Sequence, residues 1–183
     1  MSALELPETV DVERLVSHAG VLEGQLSAER LTRLAEVYQV QSALSARVAF
    51  DRDSQGRPRV GGQLAVALGT TCQRCLQPLT LTLHREFESV LCTEAEALAL
   101  DADPAADPEV EPVVVGPEGF RLASFLEDEA LLSCPMIPHH EFEACRAPGA
   151  AAPAGDPPPA GTRKPFAGLD KLLKEKPAED GSH

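Results

Sequence analysis

The sequence predicts an α+β fold, an antiparallel β-sheet laid out as a meander and packed on one face by a few helices. Three observations predict it. Apolar residues alternate with small or polar ones in three successive runs between Tyr38 and Phe87, the period of a half-buried strand. Short connections of turn composition join the runs, which is the layout of a meander. On either side of that block, in 27–37 and 120–134, apolar residues recur at helical spacing and supply a covering layer. A sheet of about four to six strands is expected.

The elements follow in chain order. Leu4, Leu6 and Val10 form an apolar opening segment broken by Pro7, and Gly20–Leu26 (GVLEGQL) reads as a short strand. Ser27 suits an N-cap and Glu29 the first turn of a helix carrying Leu31, Leu34, Ala35 and Tyr38. One long strand is expected next, with Tyr38, Val40, Ser42, Leu44, Ala46, Val48 and Phe50 on a single face. Asp51–Pro58 has turn composition. Val60, Gly62, Leu64, Val66, Leu68 and Thr70 alternate again, and Leu79, Leu81, Leu83 and Phe87 make the third run. The acidic, Ala- and Pro-rich stretch 93–112 predicts a solvated loop, mobile over 101–112. Val113-Val114-Val115 predicts a short buried strand stopped by Gly116-Pro117. Leu122, Phe125, Leu126, Ala130 and Leu132 predict a helix ended by Pro135, with Glu127, Asp128 and Glu129 on its acidic outer face.

Composition bounds the rest. Of 183 residues only 4% are aromatic and none is Trp, so a core of Leu, Val and Ala is expected. A single α+β domain over 1–145 is followed by a Pro/Ala-rich flexible linker at 146–163 and a basic amphipathic tail at 164–183, carrying Phe166, Leu169, Leu172 and Leu173. The net charge of −13 repels a bare phosphate backbone and excludes a conventional nucleic-acid-binding globule. The positive charge is concentrated locally: 162–176 holds Arg163, Lys164, Lys171, Lys174 and Lys176 against Asp170 and Glu175. No stretch reaches the roughly 18 apolar residues of a membrane span, and the first residues lack a basic, apolar leader. A cytoplasmic protein with no membrane contact is expected. Five cysteines, an odd number, argue against a disulfide framework.

The chemistry lies in Cys72-Gln73-Arg74-Cys75 and in the downstream group Pro138-His139-His140 to Cys145. A CxxC on a tight turn aims two sulfurs at one centre, and a distant His and Cys complete a tetrahedral zinc site. Cys72, Cys75, His140 and Cys145 are the expected ligands, with His139 the substitute for His140. Arg74 sits between the two thiols, where its charge favours thiolates. Such a site ties the sheet tip to the end of the second helix and is structural. Two alternatives stand beside it, reduced unliganded thiols and a thiol/redox pair. A redox CxxC opens a helix after a strand, whereas here Pro78 and another alternating run follow. Cys92 and Cys134 read as small apolar core residues, and His84 as a strand surface residue. No phosphate-binding glycine loop or nucleophile elbow is present, and no catalytic residue is identified.

Taken together, Cys72-Gln73-Arg74-Cys75-Leu76-Gln77-Pro78, Leu126-Glu127-Asp128-Glu129 leading into Leu132-Ser133-Cys134-Pro135-Met136-Ile137-Pro138-His139-His140, Cys145, and Pro165-Phe166 with a Leu/Lys end resemble the YceD proteins in order and spacing. These are the large ribosomal RNA subunit accumulation proteins of bacteria. The resemblance covers roughly residues 4–176, and Cys134 stands where an apolar residue is usual. It implies a role in synthesis, processing or stability of 23S ribosomal RNA, and so in large-subunit biogenesis. On that basis the expectation is a non-enzymatic factor whose acidic body binds a basic ribosomal protein or assembly factor, and whose tail contacts rRNA or a second partner. The alternative is a metal-dependent or thiol enzyme using Cys72 and Cys75. A zinc-dependent transcription regulator is disfavoured by the charge and by the lack of a basic recognition helix.

Overall fold

The computed structural model describes residues 4–102, 111–141 and Cys145. In chain order it contains α1 (Val12–Val16), β1 (Val21–Leu26), a 3-10 turn (Ala28–Arg30), α2 (Thr32–Val37), β2 (Gln39–Val40), β3 (Leu44–Arg52), β4 (Pro58–Thr71), β5 (Pro78–Cys92), α3 (Glu94–Ala102), β6 (Glu111–Val114) and α4 (Leu122–Leu132). The architecture is α+β, as the alternation and helical spacing predict. The strands form one sheet in the order β1-β3-β4-β5-β6, with β2 also paired to β4. The expected linker 146–163 and tail 164–183 lie outside the described residues. Among the described residues no helix is long and apolar enough to cross a membrane.

The three alternating runs put their apolar sets on one face. Leu44, Val48, Phe50, Val60, Leu64, Val66, Leu68, Leu83, Phe87 and Leu91 are all buried. Each fully buried Leu or Phe side chain contributes on the order of 2–3 kcal/mol by leaving water. α4 supplies Leu122, Phe125, Leu126 and Ala130 to the same core, and packs on β4, β5 and α2. The core has more aromatic content than the composition suggests. Phe50, Phe120, Phe125 and Phe87 form a chain of ring contacts at 6.2, 5.2 and 5.3 Å, linking sheet to helix. Few aromatics are present, but most of the phenylalanines meet at one place.

Five features differ from the sequence reading. The expected helix at 27–37 is a 3-10 turn and a six-residue α2, and the Ser27 side chain caps nothing. The expected long strand 38–50 is interrupted. Val40 pairs with Leu68, whereas Ser45 pairs with Ala65, so four residues, 41–44, face only two, Val66 and Ala67, on β4. Ser42 bridges the gap, its hydroxyl accepting the Ala67 N–H at 2.9 Å. Two extra residues preserve the in-out parity, so alternation alone cannot reveal the break.

Third, the expected acidic loop 93–112 is helical over Glu94–Ala102. Thr93 and Glu96 form a capping box. The Glu96 carboxylate accepts the Thr93 N–H at 2.8 Å, and the Thr93 hydroxyl accepts the Glu96 N–H at 3.4 Å. The Thr93 N–H and hydroxyl hold the Glu96 carboxyl below its usual pKa. Residues 103–110 of that stretch lie outside the described residues. Fourth, α3 is a crossover, and β6 therefore joins β5 in parallel rather than extending the meander.

Fifth, two of the three carboxylates on the expected acidic outer face of α4 are buried, and only Asp128 meets solvent. Glu127 and Glu129 are each only 4% exposed. Glu127 faces Arg33 on α2, and Glu129 accepts from Arg85 on β5 at 3.1 Å. Partners this distant in sequence override the usual solvation of carboxylates.

Candidate metal centre

β4 and β5 pair as far as Thr71↔Pro78, leaving Cys72 to Gln77 as the hairpin tip. Two backbone bonds shape this tip. The Leu76 N–H donates to the Cys72 carbonyl and the Cys72 N–H to the Gln77 carbonyl, each at 2.9 Å. Closing the turn requires Leu76 at φ 60°, in the left-handed region that disfavours a side chain. In this turn both sulfurs face inward, with Cys72 and Cys75 0% and 3% exposed.

The second half arrives from α4. After Pro135 the chain runs back over the hairpin tip, and the Gln73 N–H donates to the Pro138 carbonyl at 2.9 Å. His140 and Cys145 then reach the knuckle. Cys145 Sγ lies 3.7 Å from Cys72 Sγ, and His140 Nδ1 lies 3.3 Å from Cys75 Sγ. One donor atom from each of Cys72, Cys75, His140 and Cys145 lies within 4.8 Å of the others. All the cysteines are free thiols, so this spacing is not that of a disulfide. A metal with tetrahedral thiolate bonds of about 2.3 Å and imidazole bonds of about 2.0 Å has edges of about 3.8 Å and 3.5 Å. The 3.7 and 3.3 Å separations match those edges, and an ion held by all four donors would keep no position for water or substrate.

The outer contacts orient the donors. His140 Nε2 lies 3.0 Å from the Pro78 carbonyl. A proton on Nε2 donates there and leaves Nδ1 free as the ligand, the usual support of a metal-binding imidazole. Burial pushes the Cys72 thiol up, but the N–H groups of Cys75, His140 and Arg74 donate to its sulfur and bring its pKa down to about 5. Burial and the sulfurs of Cys72 and Cys75 push Cys145 up to about 11. A cation at the centre relieves this conflict by stabilising every thiolate at once.

The four residues singled out from sequence therefore meet. His139 does not join them, its Nδ1 lying 2.9 Å from the His140 carbonyl. Cys92 lies against the Val113 carbonyl and Cys134 against the Ala130 carbonyl, both outside the cluster. Arg74 acts on Cys72 through its backbone N–H, where the sequence suggested its charge. Two contributors were missed. The Pro78 carbonyl and the Gln73 N–H are backbone groups, and residue type does not announce them.

A family model described as large ribosomal RNA subunit accumulation protein YceD matches residues 60–173. A Haemophilus influenzae protein called "Large ribosomal RNA subunit accumulation protein YceD" is 32% identical over 149 residues, spanning 79% of this chain and 82% of that protein. No solved structure matches the chain.

Proposed function

Since the chain belongs to the YceD family of large ribosomal RNA subunit accumulation proteins, we propose that it supports 23S ribosomal RNA and large-subunit biogenesis in the cytoplasm as a non-enzymatic acidic scaffold closed by structural zinc. The observation that carries the scaffold reading is the closed donor set. Cys72, Cys75, His140 and Cys145 supply four protein ligands, three of them buried. Three sulfurs and one imidazole nitrogen in a tetrahedron suit zinc. With every position filled, the ion staples the hairpin tip to the segment after α4 and leaves no reactive site.

The charge pattern supports a basic protein partner, either a ribosomal protein or an assembly factor. Every cationic residue in 1–145 is an arginine, and all four lysines fall within 164–176. Arg30, Arg33, Arg52, Arg57, Arg59 and Arg85 are each held by a carboxylate. The surplus carboxylates make the body acidic, a complement to basic ribosomal proteins. The opposite charge, for contact with rRNA, comes from the stretch 162–176, where Arg163 and the four lysines outnumber Asp170 and Glu175.

One observation favours the thiol or metal-dependent enzyme, the lowered pKa of Cys72. Its sulfur has no access to a substrate, since the residue is 0% exposed. The test is sedimentation with precursors of the large subunit at low salt, alongside 23S rRNA levels in cells lacking the protein. Co-sedimentation, weakened by deleting 162–183, and reduced 23S rRNA are expected. Migration only as free protein, with unchanged 23S rRNA, overturns the reading.

A further inference from the structure

Among the described residues the helical layer covers only one of the sheet's two faces, and the other is bare across β1, β3, β4 and β5 as far as Glu88. Its cross-strand rows read Gln25-Ser45-Ala65-His84, Glu23-Arg47-Gln63-Glu86 and Val21-Ala49-Gly61-Glu88. Ser45, Ala49, Gly61 and Ala65 leave the two central strands low on either side of Arg47 and Gln63, which stand between them. The result is a trough of two adjoining hollows of about 810 and 680 Å³, which share Arg47, Gln63 and Glu86.

A face that only meets water has no reason to be built this way. Ala and Gly are poor strand residues, and Thr or Val would strengthen the ladder. Gly62 has an internal cause, because a Cβ there would sit 2.2 Å from the Arg47 carbonyl oxygen. Gly61 has none. Its Cβ would meet nothing nearer than the Phe87 carbonyl oxygen at 3.5 Å, an ordinary contact. A strand glycine marks a bulge, a tight bend or a close approach from outside, and the pairing runs without a bulge through Gly61, to Ala49 on one side and Glu88 on the other.

The charges say what approaches. Arg59 is already shared between Asp51 and Glu88 at 2.7 and 2.8 Å. Arg47 reaches Glu23 only at 4.0 Å, with both side chains largely exposed. Glu86, at the junction of the two hollows, has no ion pair or hydrogen bond among the described residues. The trough offers a net surplus of carboxylate around a floor of small side chains. A phosphate backbone is repelled there, and a Lys- or Arg-bearing helix is attracted.

We propose that this bare sheet face is the docking trough for a cationic helix of a partner protein, with Glu86 meeting its charge and Gly61 admitting its close approach. The proposal rests on the acidic-scaffold reading and gives that reading a specific surface.

The test uses the full chain as wild type, Gly61→Val, Glu86→Lys and Glu118→Lys. Glu118 is equally exposed and lies outside this face, so its reversal changes the net charge alike. Binding is measured by sedimentation with large-subunit precursor particles, with proteins extracted from the large subunit, and with protein-free 23S RNA. Wild type and Glu118→Lys should bind the particles and the extracted proteins within about twofold of each other. Gly61→Val and Glu86→Lys should each weaken both by about tenfold or more. Gly61→Val should unfold at the same or higher urea concentration than wild type. Equal weakening by Glu118→Lys means diffuse charge and overturns the trough. Undiminished binding by both trough variants also overturns it, while leaving the scaffold reading intact. Variant-sensitive binding to the RNA alone, or variant-sensitive self-association in sedimentation velocity, assigns another occupant and overturns the cationic helix. Failure of wild type to bind either particles or proteins removes the scaffold reading itself, and the trough with it.

Discussion

Glu127 holds Arg33 at both backbone and side chain. Its carboxylate accepts the Arg33 N–H at 2.8 Å, the Arg33 Nε at 3.0 Å and the Leu34 N–H at 3.0 Å. α2 has six residues and no cap of its own at Leu31. A helix that short does not persist alone, so a carboxylate from α4 satisfies its first N–H groups. Glu127→Ala strands those donors and leaves Arg33 unpaired, which should cost about 2–4 kcal/mol. Asp128 also contacts Arg33 but is half-exposed, and Asp128→Asn should cost less than about 1 kcal/mol. Urea unfolding of both variants checks this, and equal losses would contradict the clasp.

The metal reading makes a prediction about removal. Purified without a tag, the protein should carry one zinc, and Cys145→Ser should carry none. A chelator should lower the wild-type melting temperature by about 5 °C or more, because several kcal/mol of ligation couple to folding. It should leave the Cys145→Ser value unchanged. Zinc-free wild-type protein with full stability would end the staple.

Zinc affinity should also depend on pH. At neutral pH Cys145, pushed up to about 11 by burial and the nearby sulfurs, keeps its proton in the metal-free protein, whereas Cys72 at about 5 is a thiolate. Binding must expel the Cys145 proton, so affinity rises with pH and falls with acid. The slope between pH 6 and 8 should be at least about tenfold per unit, one proton released. Below about pH 5 Cys72 protonates as well, and the slope should steepen. Competition with a chromophoric chelator measures it, and a flat profile would contradict the assignment.

How much of this was legible depended on how far apart the interacting residues lie. Alternation is a local signal, and it located β3, β4 and β5 with the correct inward face. The four donors were found because Cys and His carry their chemistry in their identity. The break at 41–43 was hidden because two inserted residues keep the parity. α3 lay behind an acidic, Pro-flanked composition, although Thr93-x-x-Glu96 was a readable start signal. The burial of Glu127 and Glu129 had no local trace, since Arg33 and Arg85 lie 94 and 44 residues away. The parallel placement of β6 followed from α3 and was lost with it.

The knuckle turn carries a cost that mutation should expose. Leu76 is 66% exposed, so its side chain contributes little packing, yet it sits at φ 60°. A non-glycine residue there gives up on the order of 1 kcal/mol. Leu76→Gly removes that strain but frees the unfolded chain, a loss of about 0.4–1 kcal/mol, so the two effects nearly cancel. Leu76→Val has no such compensation, because a β-branched side chain is still less tolerant of the left-handed region. The Val variant should be less stable than the Gly variant by about 1–2 kcal/mol. It should also bind zinc more weakly, since opening the turn loosens the Leu76 N–H bond to the Cys72 carbonyl and spreads the sulfurs. Paired urea titrations and zinc competition decide it. A Val variant as stable and as tightly metallated as the Gly variant would show that the left-handed turn does not hold the sulfurs in place.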